Sequence, residues 1–179
     1  MAIAMAKTKE ELAATLAELG IRATTVEHAP VFTVEEAQAL RGAVPGAHTK
    51  NLFLKDKKDR IFLVVAPEDA AIDLKQLHTL IGASGRLSFG RPELLFETLG
   101  VAPGSVTAFG VINDTGRRVT LVLDGSLARA DVVNCHPLVN TATTTIATPD
   151  LMKFLRATGH EPLIVDLPRA KPAEPAAQL

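Results

Sequence analysis

Leu12, Leu16 and Leu19 recur at spacings of four and three, which places them on one face of a helix. Thr8 stands where an N-cap belongs, Glu11 completes a capping-box pattern three residues on, and Gly20 follows as a stop. The spacing therefore predicts a helix over residues 9–19, and the next apolar stretch predicts a strand over 21–27. Thr33 and Glu36 repeat the capping pattern. The short helix they open would turn Val34, Ala37 and Leu40 inward and stop at Gly42. Residues 42–48 read as a loop. Two apolar strands follow, over 50–55 and 60–65, joined by the charged turn Asp56-Lys-Lys-Asp59, which fits a solvated hairpin. Residues 73–81 read as a helix closed by Gly82. Pro92 suits the first turn of another helix, which Gly100 ends.

Farther on, residues 105–112 and 117–123 flank Asn113-Asp-Thr-Gly116 and predict a second hairpin. Residues 131–135 and 141–147 read as extended, the latter rich in β-branched threonine. Thr148-Pro149 is expected to cap a helix that ends before Gly159, and residues 162–167 form a last strand. Helices and hairpins alternate without the regularity of βαβ winding, so the pattern predicts an α+β fold on a mixed sheet. Residues 1–167 form one domain. Residues 168–179 hold Pro168, Pro172 and Pro175 among Ala and charge, and read as a flexible tail.

Composition narrows the function classes. The chain has 179 residues, 47 % hydrophobic and 22 % charged, with a formal charge of −1. That is the balance of a globular protein rather than of a generally basic nucleic-acid binder, and only a local basic patch would serve a polyanion. Cys135 is the single cysteine, so no internal disulfide forms and a cytoplasmic setting is expected. No apolar run reaches the roughly 18 residues of a membrane span, and the first seven residues are too short for a secretion signal. With no Trp or Tyr and seven Phe, extensive base-stacking platforms are not expected. A monomer or weak dimer is expected.

Conventional catalytic motifs are missing. The five histidines, at 28, 48, 78, 136 and 160, lack metal-ligand spacing, so no metal and no cofactor is expected. The glycines at 82, 85 and 90 match neither a P-loop nor a dinucleotide fingerprint. Cys135 and His136 are adjacent on an extended segment, where neighbours face opposite ways, so Cys135 reads as a small buried hydrophobe. Two polar segments are odd for simple scaffolding. One runs Gly46-Ala-His-Thr-Lys-Asn51. The other is Asn134-Cys-His-Pro-Leu-Val-Asn-Thr-Ala-Thr-Thr-Thr145. Their amide, hydroxyl and imidazole groups suit a sugar or an ester carbonyl. On residues alone, Lys50 reads first as a solvated lysine at a strand start and His136-Pro137 first as a turn between strands.

Four stretches carry a resemblance. They are Val26-Glu-His-Ala-Pro-Val-Phe-Thr33, His48-Thr-Lys-Asn-Leu-Phe-Leu-Lys-Asp56, Ile81-Gly-Ala-Ser-Gly-Arg-Leu-Ser-Phe89 and Val133-Asn-Cys-His-Pro-Leu-Val-Asn-Thr-Ala-Thr-Thr-Thr145. Together they make the chain resemble the YbaK/prolyl-tRNA synthetase editing-domain superfamily over residues 8–167. Its free-standing ProXp-ala deacylases are the nearest match. The resemblance implies a mixed, barrel-like curved sheet surrounded by helices. It also implies an aminoacyl-tRNA hydrolase that deacylates alanine mischarged on tRNA(Pro).

The resemblance assigns residues. The family's central lysine matches Lys50. Its glycine loop, patterned GxxxP, matches Gly104-Ser-Val-Thr-Ala108, with Ala108 in place of the proline. Gly104 and His136 join Lys50 as catalytic positions, His136 in a binding role before that of a general base. Asn51, Ser105 and Thr107 would hold the substrate, with backbone N–H groups of the glycine loop facing the developing oxyanion. Ile21, Val31, Phe32 and Val44 would shape a pocket that admits alanine and excludes proline. Lys57 and Lys58 would meet tRNA phosphates, and prolyl-tRNA synthetase is expected as a transient partner. Two alternatives stay open: removal of Ser, Thr or Cys, and a non-catalytic tRNA-binding module.

Overall fold

The capping box at Thr8 forms as its sequence requires. Glu11 N donates to Thr8 Oγ1 at 3.1 Å and Thr8 N donates to Glu11 Oε1 at 3.2 Å, opening helix α1 (Lys9–Glu18) with Leu12 and Leu16 buried. The computed structural model describes residues 5–30 and 34–170. Val31, Phe32 and Thr33 lie outside the described residues, as do the side chains of Val34 and Ala37.

After α1 come β1 (Ala23–Glu27), α2 (Val34–Ala43), β2 (Ala47–Lys55), β3 (Ile61–Pro67), α3 (Leu74–Leu80), β4 (Ser88–Phe89) and α4 (Pro92–Leu99). Beyond a 3₁₀ helix (Ala108–Asn113) follow β5 (Val119–Asp124), α5 (Gly125–Ala128), β6 (Val132–Cys135), β7 (Ala142–Ala147), α6 (Thr148–Ala157) and β8 (Leu163–Val165). The sheet order is β1-β7-β6-β2-β3-β5-β8, with β4 also on β2. Strands β2–β3, β2–β4, β6–β7 and β1–β7 pair antiparallel, while β2–β6, β3–β5 and β5–β8 pair parallel. The result is an α+β fold on a curved, unclosed mixed sheet.

Strand β2 joins two half-sheets. It pairs with β6 only at Ala47–Val133 and His48–Asn134, then leaves β6 and continues along β3. Alternation along β2 divides its side chains. Phe53 enters the larger core with α1, α4, α6 and the 3₁₀ helix, whereas Leu54 enters a second core under α3 with Phe62, Val64 and Leu77.

Several sequence expectations are corrected. Residues 105–123 are not a hairpin: 108–113 form the 3₁₀ helix, and β5 pairs parallel with β3 and β8. A short apolar run has no period that separates strand from helix. Here tertiary packing decides, because Phe109 sits edge-on to Phe154 with ring centroids 5.4 Å apart. Thr148 is not the cap of α6: Ala147 holds that position without a side-chain bond. The loop expected over 42–48 ends early, because Ala47 and His48 already pair with β6. At the other end, the chain stays tied beyond 167. Asp73 N donates to Pro168 O at 2.8 Å, Ala170 N to Ala71 O at 2.8 Å, and Arg169 reaches Asp124 Oδ2 at 3.2 Å. The rest of the tail lies outside the described residues.

The β2–β3 turn is also not simply solvated. Asp56 is only 4 % exposed. Its carboxylate accepts from Lys58 N, Arg60 N, Arg60 Nε and Ser84 N, all at 2.8–2.9 Å. Burial alone would raise its pKa, but these donors win and hold it at about 2. The folded value lies below the ordinary 3.8, so the stabilisation is complete above that and fades as pH falls towards 2. Asp56→Asn should lower stability at pH 7 by roughly 2 kcal/mol. Urea midpoints of the two proteins should converge on acidification through that window. A gap independent of pH would show that the charge of Asp56 is not what holds the turn.

Candidate active site

A cleft of about 190 Å³ lies at the splay of β2 and β6. It is lined by Leu40, His48, Thr49, Glu68, Asn134, Cys135, His136 and Thr143. Its volume is well below the roughly 300–1,000 Å³ of pockets that enclose drug-sized ligands. The splay is held by side chains. Thr49 Oγ1 donates to Asn134 O at 2.7 Å, bridging the strands just past their last pair. Asn134, 2 % exposed, donates from Nδ2 to Pro45 O at 3.0 Å and accepts from Thr145 Oγ1 at 2.5 Å. Gly46 sits against it at φ +105, where a Cβ would lie 3.0 Å from Asn134 Nδ2, so only glycine fits this approach.

The imidazoles are oriented by backbone carbonyls. His48 Nε2 lies 2.9 Å from Val44 O, His136 Nδ1 lies 3.3 Å from Ala142 O, and His28 Nδ1 lies 2.8 Å from Ala29 O. A carbonyl only accepts, so each of these nitrogens carries the hydrogen, and the opposite nitrogen of a neutral ring is an acceptor. His28 Nε2 uses that capacity on Thr143 Oγ1 at 2.8 Å. Burial lowers the pKa of His136; the Ala142 carbonyl opposes this, and His28 reinforces it. His136 is therefore neutral at neutral pH, with Nε2 bare.

Lys50 pairs with Ala66 of β3. Alternation puts it on the face of His48, about 7 Å along the strand. It is half-buried and forms no ion pair among the described residues. Asn51 points to the opposite face, so the adjacent Lys50 and Asn51 diverge. Asn51 Oδ1 is buried without a hydrogen-bond partner. Gly104 has φ +91, and a Cβ there would lie 3.8 Å from Asn140 Nδ2. The glycine loop thus abuts the segment that follows His136.

Other sequence candidates sit apart. Ile21 lines a separate groove of about 730 Å³ between α1 and β1. Thr144 lines that groove and Thr143 the cleft, because consecutive strand residues face opposite sides. Val44 is buried and meets the site through its carbonyl. Val31 and Phe32 lie outside the described residues. Thr107 is fully buried, and its Oγ1 accepts from Phe109 N to cap the 3₁₀ helix. Ser105 N already donates to Ala102 O at 3.0 Å. Neither that hydroxyl nor that amide is open to a substrate. Lys57 and Lys58 are exposed at the far end of β2. Cys135 is 2 % exposed, and burial pushes its thiol up to about 11 despite the Thr49 hydroxyl, so it is no nucleophile. Sequence reasoning missed His48 and Thr143 as lining groups, although both fall inside motifs it singled out. Among the described residues, no group of three or more His, Cys, Asp or Glu is placed to hold a metal, and no helix is long and apolar enough to cross a membrane.

The curved α+β sheet is shared with solved proteins. One, described as a candidate trans-editing enzyme for prolyl tRNA synthetase, superposes with a TM-score of 0.69 at 22 % identity, covering 90 % of this chain and 97 % of that one. The model of the aminoacyl-tRNA editing domain matches residues 28–154, and the chain belongs to that family. It is 42 % identical over 166 residues to prolyl-tRNA synthetase associated domain-containing protein 1 of Danio rerio, covering 92 % of this chain and 90 % of the relative. It is 40 % identical over 153 residues to the prolyl-tRNA editing protein ProX of Acetoanaerobium sticklandii, covering 85 % and 93 %.

Proposed function

We propose that this protein hydrolyses the ester of alanine mischarged on tRNA(Pro), acting in trans after prolyl-tRNA synthetase releases the product. The observation that carries the reading is a cleft of about 190 Å³ with Lys50 two residues along β2 from its lining residue His48, and with no ion pair to Lys50 among the described residues. Its size suits a small aminoacyl group, and its acceptors suit an amine and ribose hydroxyls. The names of the relatives, which concern prolyl-tRNA editing, support the choice of tRNA.

The chemistry needs no protein nucleophile, because the aminoacyl ester is already activated. Water adds to the ester carbonyl with help from the neighbouring ribose hydroxyl. The bond to the ester-linked ribose oxygen then breaks, that oxygen takes a proton, and free alanine and tRNA(Pro) result. Lys50 orients the terminal adenosine and offsets charge on the carbonyl oxygen. Gly104, at the tip of its loop, lets the backbone approach the same atom. His136 Nε2 accepts a hydrogen bond from a substrate hydroxyl or amine. Lys57 and Lys58 meet backbone phosphates.

Selection rests on size. A synthetase pocket built for proline discriminates against alanine by only about 1–3 kcal/mol per missing methylene, so a second, smaller site must reject the larger residue. The test is a panel of aminoacyl-tRNAs. Alanine should be released from tRNA(Pro) rapidly, with proline on the same tRNA at least roughly 100-fold slower. Preferential release of serine, threonine or cysteine would replace the substrate. Release of none would leave a tRNA-binding module.

A further inference from the structure

Away from the cleft, a cavity of about 680 Å³ opens between α3 and the strand-entry loop, lined by Leu74, Lys75, His78, Arg86 and Leu87. Resting on the editing reading, we propose that it is a second RNA contact, which binds the sugar–phosphate backbone of the tRNA body rather than its aminoacyl end. Lys75 and His78 lie three apart on α3 and so share a face. His78 is half-buried in the cavity wall, its Nδ1 buried without a hydrogen-bond partner. Lys75 and Arg86 are exposed and form no ion pair among the described residues.

The cationic surface continues from this cavity. Lys57 N donates to Ser84 O at 2.9 Å, and the Lys57 stem lies so close to Gly85 that a Cβ there would be 2.7 Å from Lys57 Cδ. Lys58, Lys57, Arg86, His78 and Lys75 therefore form one band across two loops and a helix. The carboxylates beside it are already engaged. Asp56 is held by Arg60 and three amides, Asp59 pairs with Lys55 at 3.5 Å, and Asp73 caps α3 and accepts from Gln76 Nε2 at 2.8 Å. A chain with a net charge of −1 thus carries a local run of uncompensated cations, the footprint of a polyanion rather than of a single ion. The apolar walls, Leu74 and Leu87, suit the sugar faces between phosphates. Strand β2 carries the chain from His48 to Lys55, about 23 Å, so this band cannot touch the ester while the cleft holds it.

The experiment uses uncharged tRNA(Pro) and an alanylated CCA trinucleotide with the wild type and Lys75→Ala/Arg86→Ala. In the double variant, tRNA affinity at 50 mM salt should fall about tenfold or more, and the slope of log K against log salt should become shallower by roughly 1.5. Turnover of the trinucleotide ester should not change. Unchanged affinity and slope in a wild type that deacylates Ala-tRNA(Pro) would overturn this site and leave the editing reading intact. Affinity that depends on Lys75 and Arg86 in a protein that hydrolyses no ester would do the reverse.

Discussion

Replacing Lys50 with alanine should lower kcat/KM for Ala-tRNA(Pro) deacylation by roughly 100- to 1,000-fold, the usual effect of removing one preorganised electrostatic group from a water-poor site. The geometry makes the effect specific. Lys50 stands one pleat beyond the cleft-lining His48 on β2, in register with Ala66. It has no carboxylate partner among the described residues, so its charge is free for the substrate and its loss leaves no orphaned anion. Thermal unfolding of Lys50→Ala should therefore match the wild type within about 0.5 kcal/mol. Lys50→Arg keeps the charge but replaces a compact ammonium with a broad planar fork, and should recover only part of the rate. A Lys50→Ala protein that retains a third or more of the wild-type rate would remove Lys50 from the mechanism.

The largest stability effect is expected at Asp114. Its carboxylate is buried, accepts from Arg118 N at 3.1 Å and Val119 N at 2.8 Å, and lies 2.8 Å from His160 Nε2. Burial pushes its pKa up, but the His160 hydrogen bond and the two amides outweigh this and leave it below the ordinary carboxylate value. One side chain thus closes the 3₁₀ helix, starts β5 and anchors the turn after α6. Asp114→Ala strands His160 and two amides in the core, and should cost about 3–5 kcal/mol in urea unfolding. Asp114→Asn keeps the shape and should cost less. The stabilising charge is present above the ordinary carboxylate pKa and is lost as pH falls through the depressed folded value. The wild type should thus lose more of its advantage over Asp114→Asn the further the solution is acidified. A loss below about 1 kcal/mol for the alanine variant would mean that the network is not integral to the fold.

Local signals were legible in the sequence, and long-range pairing was not. The capping box of Thr8 and Glu11 and the Pro92 and Gly100 ends of α4 are decided within one helical turn, and both appear as expected. The stretch 105–123 misleads because its apolar residues satisfy a strand or a tight helix equally. Only Phe154, 45 positions beyond Phe109, settles the choice. The same limit applies at the site. His48, Lys50 and His136 stand in polar segments that looked wrong for scaffolding. The meeting of His48 and His136 in one cleft depends on β2 and β6 pairing in parallel for just two residues, which no local pattern encodes. Thr107 lies in the matched glycine loop, yet packing spends it on a helix cap, and Ile21, assigned to the pocket without a motif, lines the groove against α1 instead. Asp56 looked like turn decoration because its four donors come partly from residue 84, outside any local window.

The junction between β2 and β6 has a further consequence. The cleft is not carved into one rigid wall. Its two sides belong to different half-sheets, fastened by two residue pairs, the Thr49 hydroxyl and the Asn134 amide. In the proposed editing reaction, the gauge that separates a small residue from a larger one is the angle between two plates riveted at Asn134. Its setting is shared with every residue that tilts either plate, so discrimination in that reaction is an attribute of the whole sheet, open to drift through substitutions that never meet the substrate.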